Sequence, residues 1–203
     1  PETMYLYETR RSDEMEQGAA LALLGEDALQ ESRGGGVSVY QTTDGELAFR
    51  RGGALELHTP WLGEDFSSLN CTEKLALAGV DTETALLREY NVAVELTQQF
   101  EGLPIFNSRL MCTCEGDMLQ VRGRWMLAEE PTAGSLGMSR AQLVLALCDL
   151  LEVWQVTAPE TVQAGYYLQG EDAQSLTLEP VWAVETEQGQ LIMSCITGEQ
   201  VNF

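Results

Sequence analysis

Three short turns, spaced almost evenly along the chain, constrain its fold more than any other feature. Each pairs a glycine with an acidic or polar neighbour, at Gly45, Gly116 and Gln188–Gly189, and the glycines lie 71 and 73 residues apart. Alternating apolar and polar residues flank each turn, as is typical of a β-hairpin. The predicted strand runs of these hairpins, with one further strand before the third, lie at 37–40, 47–57, 104–106, 109–113, 118–127, 162–168, 178–184 and 191–196.

A helical pattern precedes each hairpin. Residues 12–24 begin with polar and acidic residues suited to a helix N-terminus and then turn apolar at helical spacing. Residues 81–100 carry an apolar stripe that also predicts a helix. Residues 59–80 mix Pro, Gly, Ser and Asn with scattered aromatics, which favours an irregular connection or a short helix.

The third predicted helix, at 139–153, has the clearest start. Ser139 fits the N-cap, Gln142 follows three residues later as its capping-box partner, and Met138 is placed to pack against Leu143. Its body is apolar on nearly every side, which predicts that the helix is buried between layers.

The order of these elements predicts the fold class. A helix followed by a hairpin, three times at similar length, indicates an α+β fold of antiparallel β-sheets with helices packed on one face. It also predicts an internal duplication of helix-plus-hairpin units. The alternative is a chance alignment, because hairpin turns favour glycine in any β-rich chain. We divide the chain into an N-terminal α+β module at 1–80 and a C-terminal α+β module at 81–203.

The charge of the chain excludes some partners. Eleven Lys and Arg residues stand against 32 Asp and Glu residues, for a net charge of −21. Such a field repels nucleic acid phosphates and anionic lipid headgroups, so we expect no nucleic acid partner. No run of about 18 consecutive apolar residues is present, so a membrane contact is expected only through a removed N-terminal segment. The first residue is Pro1 rather than Met, which fits that expectation.

Residues suited to catalysis or metal binding are sparse. His58 is the only histidine and has no nucleophile motif beside it. The five cysteines show no metal-ligand spacing, and the thiols of Cys112 and Cys114 favour packing over a redox pair or bridge. Carboxylate pairs such as Glu129–Glu130 fall in turn-like segments, and no calcium loop or glycine-rich phosphate loop is present. We therefore predict no catalytic, cofactor-binding or metal site, and no enzyme activity.

The informative residues are aromatic. In an antiparallel sheet half of each strand faces outward, so aromatic side chains either fill the core under the helices or form an exposed recognition patch. Pro180 at a strand start also fits an edge strand, which can accept a strand from a partner. The candidate interaction residues are Trp125, Tyr166, Tyr167, Pro180 and Trp182.

The second half of the chain resembles a known family. Over roughly residues 101–200 the motifs that carry the resemblance occur in a shared order: Gly102–Phe106, Gly123–Trp125, Ser139 with Ala141–Leu143, Gly165–Tyr167, Leu178–Trp182 and Thr197–Glu199. This order resembles YycI-type proteins, relatives of the YycH proteins. Both are accessory regulators of the essential cell-wall sensor kinase of Gram-positive bacteria. The ending Leu178–Trp182 with Thr197–Glu199 is also similar to PepSY-like modules.

The resemblance implies a function without catalytic residues. It implies an N-terminal membrane anchor and an extracytoplasmic domain that pairs with a homologous protein and tunes a membrane sensor kinase of a two-component system. A dimer is a further expectation. An alternative is an extracytoplasmic domain that binds cationic or cell-wall-derived molecules, which a charge of −21 would attract. A third hypothesis is a hydrolase that uses two carboxylates across a cleft.

Overall fold

A large open β-sheet with three helices dominates the described part of the chain. The computed structural model describes residues 2–61, 66–153, 155, 159–170, 172–187 and 189–201, with Ser32 and Arg33 described in their backbone alone. The helices are α1 (Asp13–Leu24), α2 (Ser68–Leu77) and α3 (Arg140–Val153). The strands are β1 (Thr3–Arg10), β2 (Leu29–Gly34), β3 (Val37–Gln41), β4 (Glu46–Phe49), β5 (Ala54–Pro60), β6 (Leu86–Tyr90), β7 (Ala93–Phe100), β8 (Leu103–Glu115), β9 (Met118–Arg124), β10 (Thr132–Ser139), β11 (Thr161–Gly170), β12 (Ser175–Thr186) and β13 (Gly189–Ser194).

The strands pair in the order β10-β1-β12-β11-β8-β9-β5-β4-β3-β2, with β13 on β12, and with β7 between β6 and β8. Adjacent strands run antiparallel, except that β11 meets β8 in parallel at Tyr166 and Ile105. Most of the sheet is therefore built from hairpins, and its path ends at β2 on one side and at β10 on the other.

Helix α1 begins and packs as its sequence predicts. The hydroxyl of Ser12 accepts a hydrogen bond from the backbone N–H of Met15, and acidic residues fill the first turn, where the helix dipole favours them. Ala19, Ala20 and Leu23 follow at helical spacing and are buried against the sheet. Helix α2 has the same type of N-cap.

Two main apolar clusters form the core. The first lies between α1, α2 and strands β3 to β5 and β7 to β9, with Leu47, Leu75 and Leu110 fully or almost fully buried. The second joins β1, β8, β11 and β12 beneath α3, around Tyr166 and Leu178. Each such leucine side chain contributes about 1.5–3 kcal/mol by leaving water.

The three predicted hairpins are confirmed, with one difference of detail. Strands β3 and β4, β8 and β9, and β12 and β13 form the pairs around the predicted turns, although Gln188 lies outside the described residues. The run predicted as one strand at 47–57 is two strands, because the chain turns back through Gly52 and Gly53, both with positive φ. Strands β1, β2 and β10 were not predicted.

The helix predicted at 81–100 is wrong. Residues 86–90 and 93–100 form strands β6 and β7, joined by a turn at 91–92. In β7, Val94 and Leu96 are buried on the same face while β6 and β8 pair on either side, so a period of two prevails over the helical stripe. The second helix is α2, within the stretch for which a short helix was one of two alternatives.

Helix α3 begins where the sequence places it, but its predicted burial is wrong. The carboxamide oxygen of Gln142 accepts hydrogen bonds from the backbone N–H and the hydroxyl of Ser139, each at 2.8 Å, as expected for a capping box. Leu143 and Leu150 are buried, whereas Val144 and Leu145 are 48% and 64% exposed. One side of this apolar helix therefore faces solvent.

The α+β class is confirmed at the level of a mixed, antiparallel-rich sheet with three helices in the described part. The packing of the helices on one face and the internal duplication stay predictions. The division at residue 80 also stays a prediction. The described strands pair across it, β5 with β9 and β1 with β12.

Candidate interaction surface

The predicted aromatic residues are mostly core side chains. Trp125, Tyr166 and Tyr167 are 2%, 0% and 6% exposed, Pro180 is buried, and Trp182 is half-buried. Strand register brings Tyr166 opposite Pro180. Trp125 belongs to the other core cluster, under α1 and α2. Of the two alternatives left open by the sequence, these positions favour packing over an exposed patch, and a docking role for them stays a prediction.

The edge-strand interpretation of Pro180 is wrong. Pro180 lies inside β12, a strand with partners on both sides. It falls where β12 changes its second partner: β1 pairs with residues 175–178, and β13 pairs with residues 181–186. Proline is accepted at such an interruption because its missing N–H breaks no regular ladder.

Tyr166 of β11 belongs to an aromatic cluster with side chains of β1 and β7. Its ring centre lies 5.9 Å from that of Tyr7 on β1 and 5.5 Å from that of Phe100 on β7, both edge to face. The Tyr7 hydroxyl donates a hydrogen bond of 2.8 Å to Oε1 of Glu101 in the β7–β8 turn. Burial, with the nearby Glu101 carboxylate, raises the pKa of Tyr7 to about 12. The hydrogen bond to Glu101 and the raised pKa both keep the Tyr7 hydroxyl protonated, as suits a structural role.

A hydrogen bond from Trp182 holds α3 against the sheet. Its indole Nε1–H donates a hydrogen bond of 2.8 Å to the carbonyl oxygen of Leu143, and Leu143 and Leu150 turn inward beside it. This fixes which side of α3 faces out. The outward side carries Ala141, Val144, Leu145 and Cys148, all exposed, at the spacing of a helical stripe, and the exposed Asp149 and Glu152 continue that stripe toward the end of the helix.

Strand β10 lies beside α3 and has a free edge. Among the described residues it pairs with β1 and with no other strand. Edge strands of natural sheets commonly carry charges, proline or a bulge that hinders pairing with another chain. β10 contains no charge and no proline, but its register with β1 shifts between Ala133 and Gly137. Leu136, near its middle, is 55% exposed. We call β10 and the stripe Ala141, Val144, Leu145 and Cys148 the α3/β10 face.

The α3/β10 face differs in charge from the rest of the molecule. Residues 131–148 contain no Asp or Glu, and Arg140 is their only charged residue, in a chain with 32 acidic residues. This is the longest stretch without an acidic residue. An exposed, apolar, nearly uncharged face on an acidic protein is typical of a protein-binding surface.

The concave regions are open and polar. One cavity of about 600 Å³ lies beside the ends of β1, β2 and β12 and is lined by Arg10, Asp13 and Asp172 among others. A second, of about 700 Å³, lies between the end of α1 and the β3–β4 turn, where Asp27, Glu31 and Asp44 gather with Lys74. Mixed charges and wide openings distinguish both from a deep small-molecule pocket, and Leu23, Leu24 and Leu29 form an apolar part of the wall of the second.

Cysteine and histidine side chains take ordinary structural positions. All five cysteines are free, and the partner of Cys112 is Cys71 of α2, with which it forms a hydrogen bond inside the core, rather than Cys114. That contact and burial raise the pKa of the Cys112 thiol. His58 is exposed on β5. Within the described ranges, no three His, Cys, Asp or Glu side chains are grouped as they would be to hold a metal ion.

The comparisons with known proteins leave the family open. No family model and no curated protein matches the chain. Among solved structures, it is similar to an uncharacterised protein from Eubacterium rectale, with 10% identity and a TM-score of 0.47 over 99% of this chain and 86% of that one. It is also similar to the C-terminal domain of YpeB from Bacillus megaterium, with 11% identity and a TM-score of 0.41 over 96% of this chain and 99% of that domain. At these values neither likeness establishes a family or a function, so the resemblance to YycI-type and PepSY-like proteins stays a prediction.

Sequence reasoning found the residues around α3 but missed the face itself. Trp182 was selected, whereas Leu136, Val144 and Leu145 were assigned to the interior with their helix or passed over. The gap in acidic residues at 131–148 was a readable signal.

No described helix has both the length and the apolar character needed to cross a bilayer.

Proposed function

We propose that this chain is a non-enzymatic regulatory domain that acts by binding another protein through its α3/β10 face. The observation that carries the proposal is the contrast between that face and the rest of the surface. Leu136 and Leu145 are more than half exposed in a region without acidic residues, on a chain of net charge −21. Exposing apolar side chains costs solubility, so a contiguous patch of them favours a partner that covers it.

The free edge of β10 adds a second mode of contact to the same face. An unpaired strand offers N–H and C=O groups to a strand of a partner, and apolar side chains of α3 lie next to it. Backbone pairing supplies affinity, and the helix stripe supplies selectivity. Together they suit a regulatory contact better than they suit catalysis.

The cellular setting of the proposal comes from the sequence resemblance. We infer an extracytoplasmic domain, tethered to the membrane by a segment outside this chain, that modulates a two-component sensor kinase together with a homologous accessory protein. The acidic surface supports the absence of nucleic acid and anionic-lipid partners.

Site-specific photocrosslinking in the native host tests this proposal. A photoreactive amino acid at Leu145 of the full-length protein should capture a membrane sensor kinase or a homologous accessory protein, identified by mass spectrometry. The matched control is Leu77 of α2, which is 76% exposed on another helix. Equal capture from both positions, or capture of neither partner from Leu145, would refute the proposal.

A second candidate function follows from the acidic cavity beside α1. Asp27, Glu31 and Asp44 line one open space of about 700 Å³ with a single cation among the described residues, Lys74, and this excess of carboxylates favours a cationic ligand such as a wall-derived amine. Isothermal titration with spermine as a polyamine probe tests it. Binding that Asp27→Asn and Asp44→Asn together weaken supports this function, and binding that they leave unchanged contradicts it.

A further inference from the structure

We propose that the α3/β10 face also joins two copies of this chain, through antiparallel pairing of β10 with β10 of a second copy about a two-fold axis. The inference rests on the proposed function, since it names an occupant for the same face. It uses three observations: the free edge, the gap in acidic residues, and the position of the few charges that border the strand.

The free edge of β10 suits a two-fold axis. A two-fold interface brings the same surface of both copies together, and antiparallel pairing of identical edge strands satisfies this condition directly. β10 ends the described sheet path, so pairing through its regular ends, 132–133 and 137–139, on either side of the irregular residues 134–136, would continue the sheet from one copy into the next. Helix α3 follows β10 without an intervening residue, so the two apolar stripes widen the contact beyond the strands.

Electrostatic repulsion between two copies favours a contact along residues 131–148. Two molecules of net charge −21 repel each other, and the repulsion is smallest where neither presents carboxylates. Residues 131–148 are the longest stretch of the chain that meets this condition. A contact through this segment brings none of its own carboxylates against the other copy, and the exposed Asp149 and Glu152 follow only at the end of the α3 stripe.

The charged residues at the two ends of β10 are opposite in sign. Arg140 follows the C-terminal end of β10, while Glu129 and Glu130 stand just before its N-terminal end, and all three are exposed. Antiparallel pairing places the C-terminal end of one strand beside the N-terminal end of the other. Arg140 of each copy then lies near Glu129 and Glu130 of the other, twice by symmetry. The charges that border β10 are thus arranged to attract a second copy in this orientation.

Sedimentation equilibrium of the purified chain over a wide concentration range tests the inference. We expect a reversible monomer–dimer equilibrium. Leu145→Glu and Arg140→Glu should each raise the dissociation constant about tenfold, because they place a carboxylate in the contact or opposite other carboxylates. Leu77→Glu, at an exposed leucine of α2, should leave it unchanged.

A charge exchange tests the orientation. Combining Arg140→Glu with Glu130→Arg should recover most of the affinity that Arg140→Glu loses. A monomer at every concentration, or a dimer indifferent to Leu145→Glu and Arg140→Glu, overturns the inference, as does a double variant no tighter than the single one. These results are separate from crosslinking in the host: a monomer that still crosslinks to a kinase or accessory protein removes the dimer and leaves the proposed function.

Discussion

Arg11 and Glu16 form a two-point ion pair inside the protein, with Nε 2.7 Å from Oε1 and Nη2 3.0 Å from Oε2. The two residues are 8% and 1% exposed. Arg11 also donates from Nη1 to the backbone carbonyl oxygens of Gly36, at 2.5 Å, and Ala173, at 3.1 Å. One guanidinium therefore ties the end of β1 to α1, to the β2–β3 turn and to the β11–β12 connection.

Removing the carboxylate of this pair should destabilise the fold strongly. Glu16→Ala leaves a buried guanidinium without its counter-charge, and we expect the free energy of unfolding to fall by about 3–5 kcal/mol. Urea denaturation followed by circular dichroism measures it. The control is the exposed pair Arg50–Glu56, also 3.0 Å apart, where Glu56→Ala should cost less than about 1 kcal/mol. Similar losses at both sites would contradict the proposed role of burial.

The same pair should make stability depend on pH in a defined direction. Burial raises the pKa of Glu16 above its ordinary 4.5, and the hydrogen bonds from Arg11 offset part of the rise. The folded protein therefore keeps this proton at pH values where the unfolded chain has released it. The resulting contribution to stability is complete below pH 4.5 and is lost as the pH rises through the folded-state pKa.

Glu16→Gln isolates that contribution, because glutamine does not titrate. We expect the free energy of unfolding of the wild type, minus that of Glu16→Gln, to decrease as the pH rises through this window. Denaturation curves at a series of pH values measure the difference. A difference that increases with pH would mean that the pair with Arg11 outweighs burial.

The elements that the sequence predicted well are those whose signals are local. The start of α3 is determined by Ser139 and Gln142, three residues apart, and the hairpin turns by glycines at Gly45 and Gly116. Such contacts need no knowledge of distant segments. The start of α1 at Ser12 belongs to the same group.

The elements that were missed depend on distant partners. Residues 93–100 fit a helical stripe when taken alone, and they form a strand because β6 and β8 pair on both sides. Strand β10 has no alternating pattern and is defined by its pairing with β1, more than 120 residues away in the sequence. Sequence patterns also failed to predict the Arg11–Glu16 ion pair, because its arginine depends on the distant carbonyl oxygens of Gly36 and Ala173 as further acceptors.

Two glycines of the β8–β9 hairpin should respond very differently to alanine. Gly123 of β9 has φ +149°, and an added Cβ would collide with the carbonyl oxygen of Arg109 in the paired strand β8. Gly116→Ala, in the turn between the strands at φ +59°, meets no atom within 4 Å. We expect a loss of about 3 kcal/mol or more for Gly123→Ala and about 1 kcal/mol for Gly116→Ala. Thermal unfolding measures both, and equal losses would contradict the close approach at Gly123.

The hydrogen bond from Trp182 to α3 should limit the local opening of that helix. Trp182→Phe keeps an aromatic ring but removes the Nε1–H that donates to the Leu143 carbonyl, which we expect to cost about 1 kcal/mol. Hydrogen exchange should become faster in α3, while α1, in the other core cluster, stays unchanged. Exchange that rises equally in both helices would indicate general destabilisation and contradict a local fastening role.

The five free thiols should react in an order set by burial. Cys148 is exposed on the α3/β10 face, Cys114 is half-buried, and Cys71, Cys112 and Cys195 are buried. Burial and the nearby Glu179 carboxylate raise the pKa of Cys195 to about 12, which suppresses the reactive thiolate further. With a thiol-specific disulfide reagent, we expect one fast thiol that Cys148→Ser removes, one slower thiol, and three that react only when denaturant opens the core. Fast reaction of a second thiol that persists in Cys148→Ser and Cys114→Ser together would contradict the burial of the other three.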